Sequence, residues 1–211
     1  MISKEHKYIF VHIPKNAGTS IKGELKSFTK DKPLYEDWHY SLAQLIEKVE
    51  EDHAHYYKFA FTRNPYDRFA SSFVYNVLRL KASDQEHWEK YGSAYRIIEK
   101  YICGDIVKSF RDFVNSPDFE KIFQIGFPVH FRPQTFFLSF GDCQFDFIGK
   151  VENIEKDMSR VLQALGVNRE SKIKRLNVSK SAGYIQFYTK KTKELVAQKY
   201  ATDFDSLGYK P

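Results

Sequence analysis

The sequence predicts an α/β fold in which a mainly parallel central sheet is flanked by helices, within a single domain spanning residues 1–211. Three observations carry that expectation. A strand-like run leading through a loop into apolar residues at helical spacing occurs three times along the chain. Hydrophobic residues make up 42% of the chain and aromatic residues 17%, enough for a buried core and too much for a disordered or collagenous protein. The 211 residues correspond to about one domain.

The elements follow in order. Tyr8-Ile9-Phe10-Val11-His12-Ile13 is β-branched and aromatic and reads as the first strand, with His12 as a satisfied core or near-core histidine. Pro14 to Ser20 form a loop, and Ile21, Leu25 and Phe28 then fall at helical spacing. Ser41-Leu42-Ala43-Gln44 is a capping box, with Tyr40 and Leu45 spaced for a hydrophobic staple and Leu42, Leu45, Ile46 and Val49 on one face. Tyr57 to Thr62 read as the second strand. Asn64 as cap and Pro65 at the first helical position then start a helix that buries Phe69, Phe73, Val77 and Leu80.

The aromatic middle, from about Ser83 to Phe140, reads as helices and loops that cover the sheet, helical from Tyr95 to Tyr101 and from Val107 to Val114. Phe145 to Val151 form the third strand. Ile154, Met158, Val161, Leu162 and Leu165 mark a helix that stops at Gly166 in the C′ position. A basic, polar stretch from Lys172 to Gly183 leads to a last helix from Thr189 to Phe204.

The net charge is +6, with basic residues dispersed among acidic ones. That favours a small anionic ligand over nucleic acid. Cys103 and Cys143 lie far apart without a C-x-x-C or a nearby His pair, so they read as reduced thiols. His53 and His55 are close in sequence but lack a third ligand, which makes them loop residues. The charged N-terminus runs into an apolar segment too brief for a signal sequence or a membrane span, so the cytoplasm is the expected compartment.

Chemistry concentrates at two strand ends. The loop Pro14-Lys15-Asn16-Ala17-Gly18-Thr19-Ser20 leaves a strand and opens a helix, where unpaired N–H groups and the helix dipole favour phosphate. Gly18 admits a close backbone approach, Thr19 and Ser20 add hydroxyls, and Lys15 adds a full charge. The architecture expected around it is a P-loop-like three-layer sandwich. The loop is not G-x-x-x-x-G-K-[ST], because it has one Gly and its Lys precedes that Gly, and no Walker-B-type Asp follows. An ordinary strand-to-helix turn fits the same residues. Arg63-Asn64-Pro65-Tyr66-Asp67-Arg68-Phe69-Ala70-Ser71 then brings a second cation to a second helix start, which suits a ligand with two phosphate positions.

Pro14 to Ser20 resemble the 5′-phosphosulfate-binding loop of sulfotransferases, and Arg63 with Ser71 resemble their 3′-phosphate motif. His39 before a capped helix, Val129-His130-Phe131-Arg132-Pro133-Gln134, Ile148 to Asn153 with Asp157, and Tyr200 to Phe204 with Gly208-Tyr209 are similar to the carbohydrate (Golgi-type, family 2) sulfotransferases. The chain resembles a compact, soluble, bacterial-like member without their anchor.

The resemblance implies transfer of a sulfuryl group from 3′-phosphoadenosine 5′-phosphosulfate, with adenosine 3′,5′-bisphosphate as product and no metal. It assigns Lys15, Asn16, Ala17, Gly18, Thr19 and Ser20 to the phosphosulfate, Arg63 and Ser71 to the 3′-phosphate, and Lys180 to a loop over the nucleotide. Lys15 would also stabilise the leaving phosphate. His39 is the expected base, since an imidazole titrates near working pH. His130 is the second candidate base or an acceptor-binding residue, and Arg132 would engage an acidic acceptor. An ordinary turn, with Gln134 bonded to backbone, also fits that segment. The expected acceptor is a carbohydrate hydroxyl; a small alcohol or phenol, a P-loop small-molecule kinase and a non-catalytic nucleotide- or glycan-binding module are the alternatives.

Overall fold

The computed structural model describes residues 1–30, 32–35, 39–49, 52–81, 96–124, 129–138, 144–173 and 183–211. They form two compact units, Met1–Arg63 with Gln134–Asn177 and Asn64–Pro133 with Val178–Pro211.

The first unit holds the sheet. Its strands are β1 (Ile2–Ser3), β2 (Tyr8–Val11), β3 (Tyr57–Thr62) and β4 (Phe147–Lys150), in the order β1-β2-β3-β4. β2 pairs parallel with β3, Val11 opposite Ala60, and β3 pairs parallel with β4, Thr62 opposite Lys150. β1 is antiparallel to β2 and was not expected from the sequence; two residues carry no readable alternation. Every residue of β2 is buried, as its unbroken apolar run requires in a parallel sheet.

Helix α1 (Gly18–Lys26) follows β2, and α2 (Leu42–Ile46) starts at the Ser41 capping box, with both of its hydrogen bonds formed. Ile21 and Leu25 of α1 join Tyr8, Phe10, Phe59 and Phe61 in a core that also holds Ile154, Met158, Val161 and Leu162. α1 is tied down near its end by Glu24, which is 6% exposed and accepts from the Arg169 guanidinium and from the Lys172 N–H. α6 (Gln134–Leu138) precedes β4, and α7 (Ile154–Ala164) ends in a full Schellman motif. There Gly166 N–H bonds Gln163 O at 3.0 Å and Val167 N–H bonds Leu162 O at 2.9 Å.

The second unit is helical. α3 (Pro65–Lys81) is capped as expected, with Asn64 Oδ1 accepting from the Tyr66 and Asp67 N–H groups at 3.0 and 3.4 Å. α4 (Ile106–Val114), α5 (Asp118–Gln124), α8 (Lys190–Lys199) and α9 (Ala201–Leu207) also belong to it. The aromatic middle of the chain builds a core of its own here. Phe69 meets the rings of Phe110, Phe119, Phe131 and Tyr200 at centroid distances of 5.3 to 5.8 Å. The last helix is not continuous from Thr189 to Phe204, because Tyr200, at φ −111° and ψ 24°, interrupts it. Its fully buried hydroxyl donates to Phe131 O at 2.6 Å.

Asp118 accepts from Lys121, Lys100 and Tyr101 at 2.9, 3.1 and 3.0 Å. Those bonds, Lys121 first, lower its carboxyl from 3.8 to about 2. A carboxylate depressed in the folded state stabilises above its unfolded value and loses that contribution as pH falls through the folded one. Asp118→Asn is therefore expected to lower the melting temperature at neutral pH, and the gap should close as pH drops from 3.8 toward 2 in a melting series. Gly166 stands at φ +75° with open space around the Cβ direction. Gly166→Ala should thus cost backbone strain alone, about 1 kcal/mol or roughly 2–4 °C in melting temperature.

Candidate functional site

Parallel pairing brings the carboxyl ends of β2 and β3 side by side in the first unit. The loop after β2 is held in a sparsely populated conformation. Lys15 has φ +68° and Ala17 φ +58°, both left-handed although neither is glycine. Left-handed residues alternating with others turn successive N–H groups toward one concave side, which suits an anion. Ala17 is the N-cap of α1 and supplies no side-chain cap, and no acidic residue occupies the first turn. The positive end of the dipole is therefore not satisfied by the helix's own first turn.

Strain of this kind, about 1–3 kcal/mol per residue, persists only where the surroundings over-determine it. Asn16 does that. It is 1% exposed, and its Nδ2 donates to Phe61 O and to Gln134 Oε1, both at 2.7 Å. Gln134 Oε1 also accepts from the Arg63 N–H at 2.9 Å, and Gln134 Nε2 donates to Arg63 O at 2.8 Å. The half-buried Arg63 guanidinium donates to Lys15 O at 3.0 Å, so the second cation lies on the first loop.

Gly18 is required by a close approach. A Cβ there would lie 1.8 Å from Nε2 of His12. The His12 ring stacks on Phe10 at 6.0 Å and lies 4.4 Å from the ring of His39. His39 Nδ1 is 3.0 Å from the His12 carbonyl. A carbonyl oxygen only accepts, so Nδ1 carries the proton and the neutral ring keeps its lone pair on Nε2.

The structure thus gathers Lys15, Asn16, Ala17, Gly18, Arg63 and His39 around the ends of β2 and β3, with Thr19 exposed and Ser20 half-buried on the first turn of α1. Ser71 is half-buried on α3 in the second unit, so its expected partnership with Arg63 rests on the motif. His130 and Arg132 also belong to the second unit. There the carbonyls of His130, Phe131 and Arg132 are bound by Ser72, Tyr200 and Arg68 at 2.9, 2.6 and 2.8 Å, and the 9% exposed His130 ring lies 4.8 Å from that of Tyr75. Lys180 lies outside the described residues. Among the described residues, no trio of His, Cys, Asp and Glu side chains is arranged to hold a metal. No helix among them is long and apolar enough to cross a membrane.

Two residues stand out beyond the sequence reading. His12 is half-buried, as a near-core residue would be, and in addition lies against Gly18 and His39. Gln134 does bond backbone, but the backbone it bonds is that of Arg63. The His-Phe-Arg-Pro-Gln motif was the available signal for the second; nothing local signalled the first.

A parallel sheet whose strand runs through a strained loop into a helix start without a side-chain cap defines an α/β protein with the positive end of its first helix at the carboxyl ends of the strands. The chain belongs to the sulfotransferase family, whose sequence model matches residues 1–210. It is similar to carbohydrate sulfotransferase 14 of Danio rerio, 24% identical over 240 aligned residues covering 99% of this chain and 61% of that protein. It is also similar to the Mus musculus and Homo sapiens proteins of that name, at 26% and 25% identity over 77% of this chain and 45% of each. The chain therefore spans 61% or less of the length of these relatives. No solved structure matches it.

Gly18→Ala is expected to cost about 1–3 kcal/mol by overpacking. His12→Ala in the same chain should return part of that loss. Thermal melts of the two single variants and the double variant check it; additive losses would show that the two positions do not touch.

Proposed function

We propose that the protein transfers a sulfuryl group from 3′-phosphoadenosine 5′-phosphosulfate to a hydroxyl of a carbohydrate. Family membership and the carbohydrate sulfotransferase relatives support the reaction class. The observation that carries the donor is the Arg63 guanidinium on the Lys15 carbonyl, two cations from neighbouring strand ends at one loop. A nucleotide with phosphates at both its 3′ and 5′ positions needs such a pair.

In this reading the N–H groups and hydroxyls from Ala17 to Ser20, with the Lys15 ammonium, bind the 5′-phosphosulfate. Charge develops on the bridging oxygen as the sulfur–oxygen bond breaks, and these fixed donors meet it without reorganising. Asn16 keeps the loop in shape. Arg63 takes the 3′-phosphate, and Ser71 is assigned to that phosphate by the sequence motif alone. His39, with its proton held on Nδ1, uses Nε2 to take the proton of the acceptor hydroxyl. His130 and Arg132 are the residues assigned to an acidic carbohydrate acceptor. Protein donors carry the developing charge, so turnover without added divalent metal is expected.

Calorimetric titration with adenosine 3′,5′-bisphosphate, ADP and ATP, each with and without magnesium, tests the reading. Metal-independent preference for the bisphosphate supports it, and preference for ATP with magnesium overturns it in favour of a kinase. Lys15→Ala and Arg63→Ala should each weaken bisphosphate binding by roughly 10- to 100-fold, the effect of one charge-assisted hydrogen bond. His39→Ala should leave that binding intact and lower turnover by about 10²- to 10⁴-fold, measured with a labelled sulfate donor.

A further inference from the structure

We infer that Gln134 is the positioning residue that sets the spacing of the two phosphate sites and so makes the protein selective for a nucleotide carrying a 3′-phosphate. The inference rests on the donor-site reading above and adds a residue to it.

Gln134 is fully buried and stands 118 residues from Asn16 and 71 from Arg63 in sequence. Its amide touches both. Its oxygen accepts from Asn16 Nδ2 at 2.7 Å and from Arg63 N–H at 2.9 Å, and its nitrogen donates to Arg63 O at 2.8 Å. The amide orientations are not free choices. Arg63 N–H can only donate, so the oxygen of Gln134 faces it; Phe61 O can only accept, so the nitrogen of Asn16 faces that carbonyl. One oxygen therefore joins the anion loop to the residue that bears the second cation.

No other side chain reproduces this junction. Glutamate keeps the acceptor but lacks the donor for Arg63 O and would set a charged oxygen against that carbonyl. Methionine fills the volume and leaves the Arg63 N–H and C=O and the Asn16 amide short of a partner. Asparagine is one methylene shorter. Removing the amide frees Arg63 to move relative to Lys15. A ligand that spans both sites should feel that loss more than one that uses the loop alone.

The test is a pair of titrations, adenosine 3′,5′-bisphosphate against adenosine 5′-monophosphate, on the unaltered chain and on Gln134→Met, with circular dichroism to confirm folding. The preference for the bisphosphate is expected to fall by roughly tenfold, with binding of the monophosphate changed much less. If Gln134→Met does not fold, Gln134→Asn, which keeps the amide but falls one methylene short of the junction, is read by the same ratio. Equal losses for both nucleotides would mark a structural role only and overturn this inference while leaving the donor site standing. An unaltered chain with no preference for the bisphosphate overturns the donor-site reading and this inference together.

Discussion

The parallel pairing of β2 with β3 is the constraint from which the site follows. With Val11 opposite Ala60, both strands deliver their carboxyl ends to the same edge of the sheet, and the residues just beyond, His12 to Asn16 and Arg63, become neighbours. An antiparallel pairing would send one of those ends to the opposite edge. From the parallel arrangement, Asn16 reaches a carbonyl of β3 and the Arg63 side chain reaches back to the loop of β2. The aromatic rows of Phe10, Phe59 and Phe61 hold the pairing in place, with Phe10 and Phe59 stacked at 5.2 Å.

Rigidity at the loop comes from an unequal division of labour. Lys15 and Ala17 occupy backbone conformations that cost free energy, and the buried Asn16 between them makes the hydrogen bonds that offset it. A polar side chain buried to 1% must bond or be expensive, and bonding here selects one loop shape over others. The loop is therefore preorganised by interactions that need no ligand. His12 adds a steric condition by leaving room at position 18 for a glycine and nothing larger.

Much of this was legible because its signals are local. The second strand has the limits Tyr57 to Thr62 that its composition suggested, and the Ser41 box, the Asn64 cap with Pro65 and the Gly166 stop are formed where short-range chemistry placed them. What the sequence hid is non-local or lacks a residue signature. Apolar periodicity runs on through Tyr200, so the break there shows only once its buried hydroxyl finds Phe131. Positive φ at Lys15 and Ala17 has no glycine to announce it. The Gln134 junction depends on residues brought together from three parts of the chain. The mainly parallel sheet was readable from the alternation of strands and helices, but the strand order and the return of Gln134–Asn177 to the first unit were not.

Helix α1 has its start in the strained loop after β2 and its last turns fastened by Glu24 to Arg169 and the Lys172 backbone. It behaves mechanically as a strut pinned at both ends. Both ends are fixed by residues far away in sequence, the preceding loop by Phe61 and Gln134 through Asn16 and the last turns by Arg169 and Lys172, where the basic stretch of the chain begins.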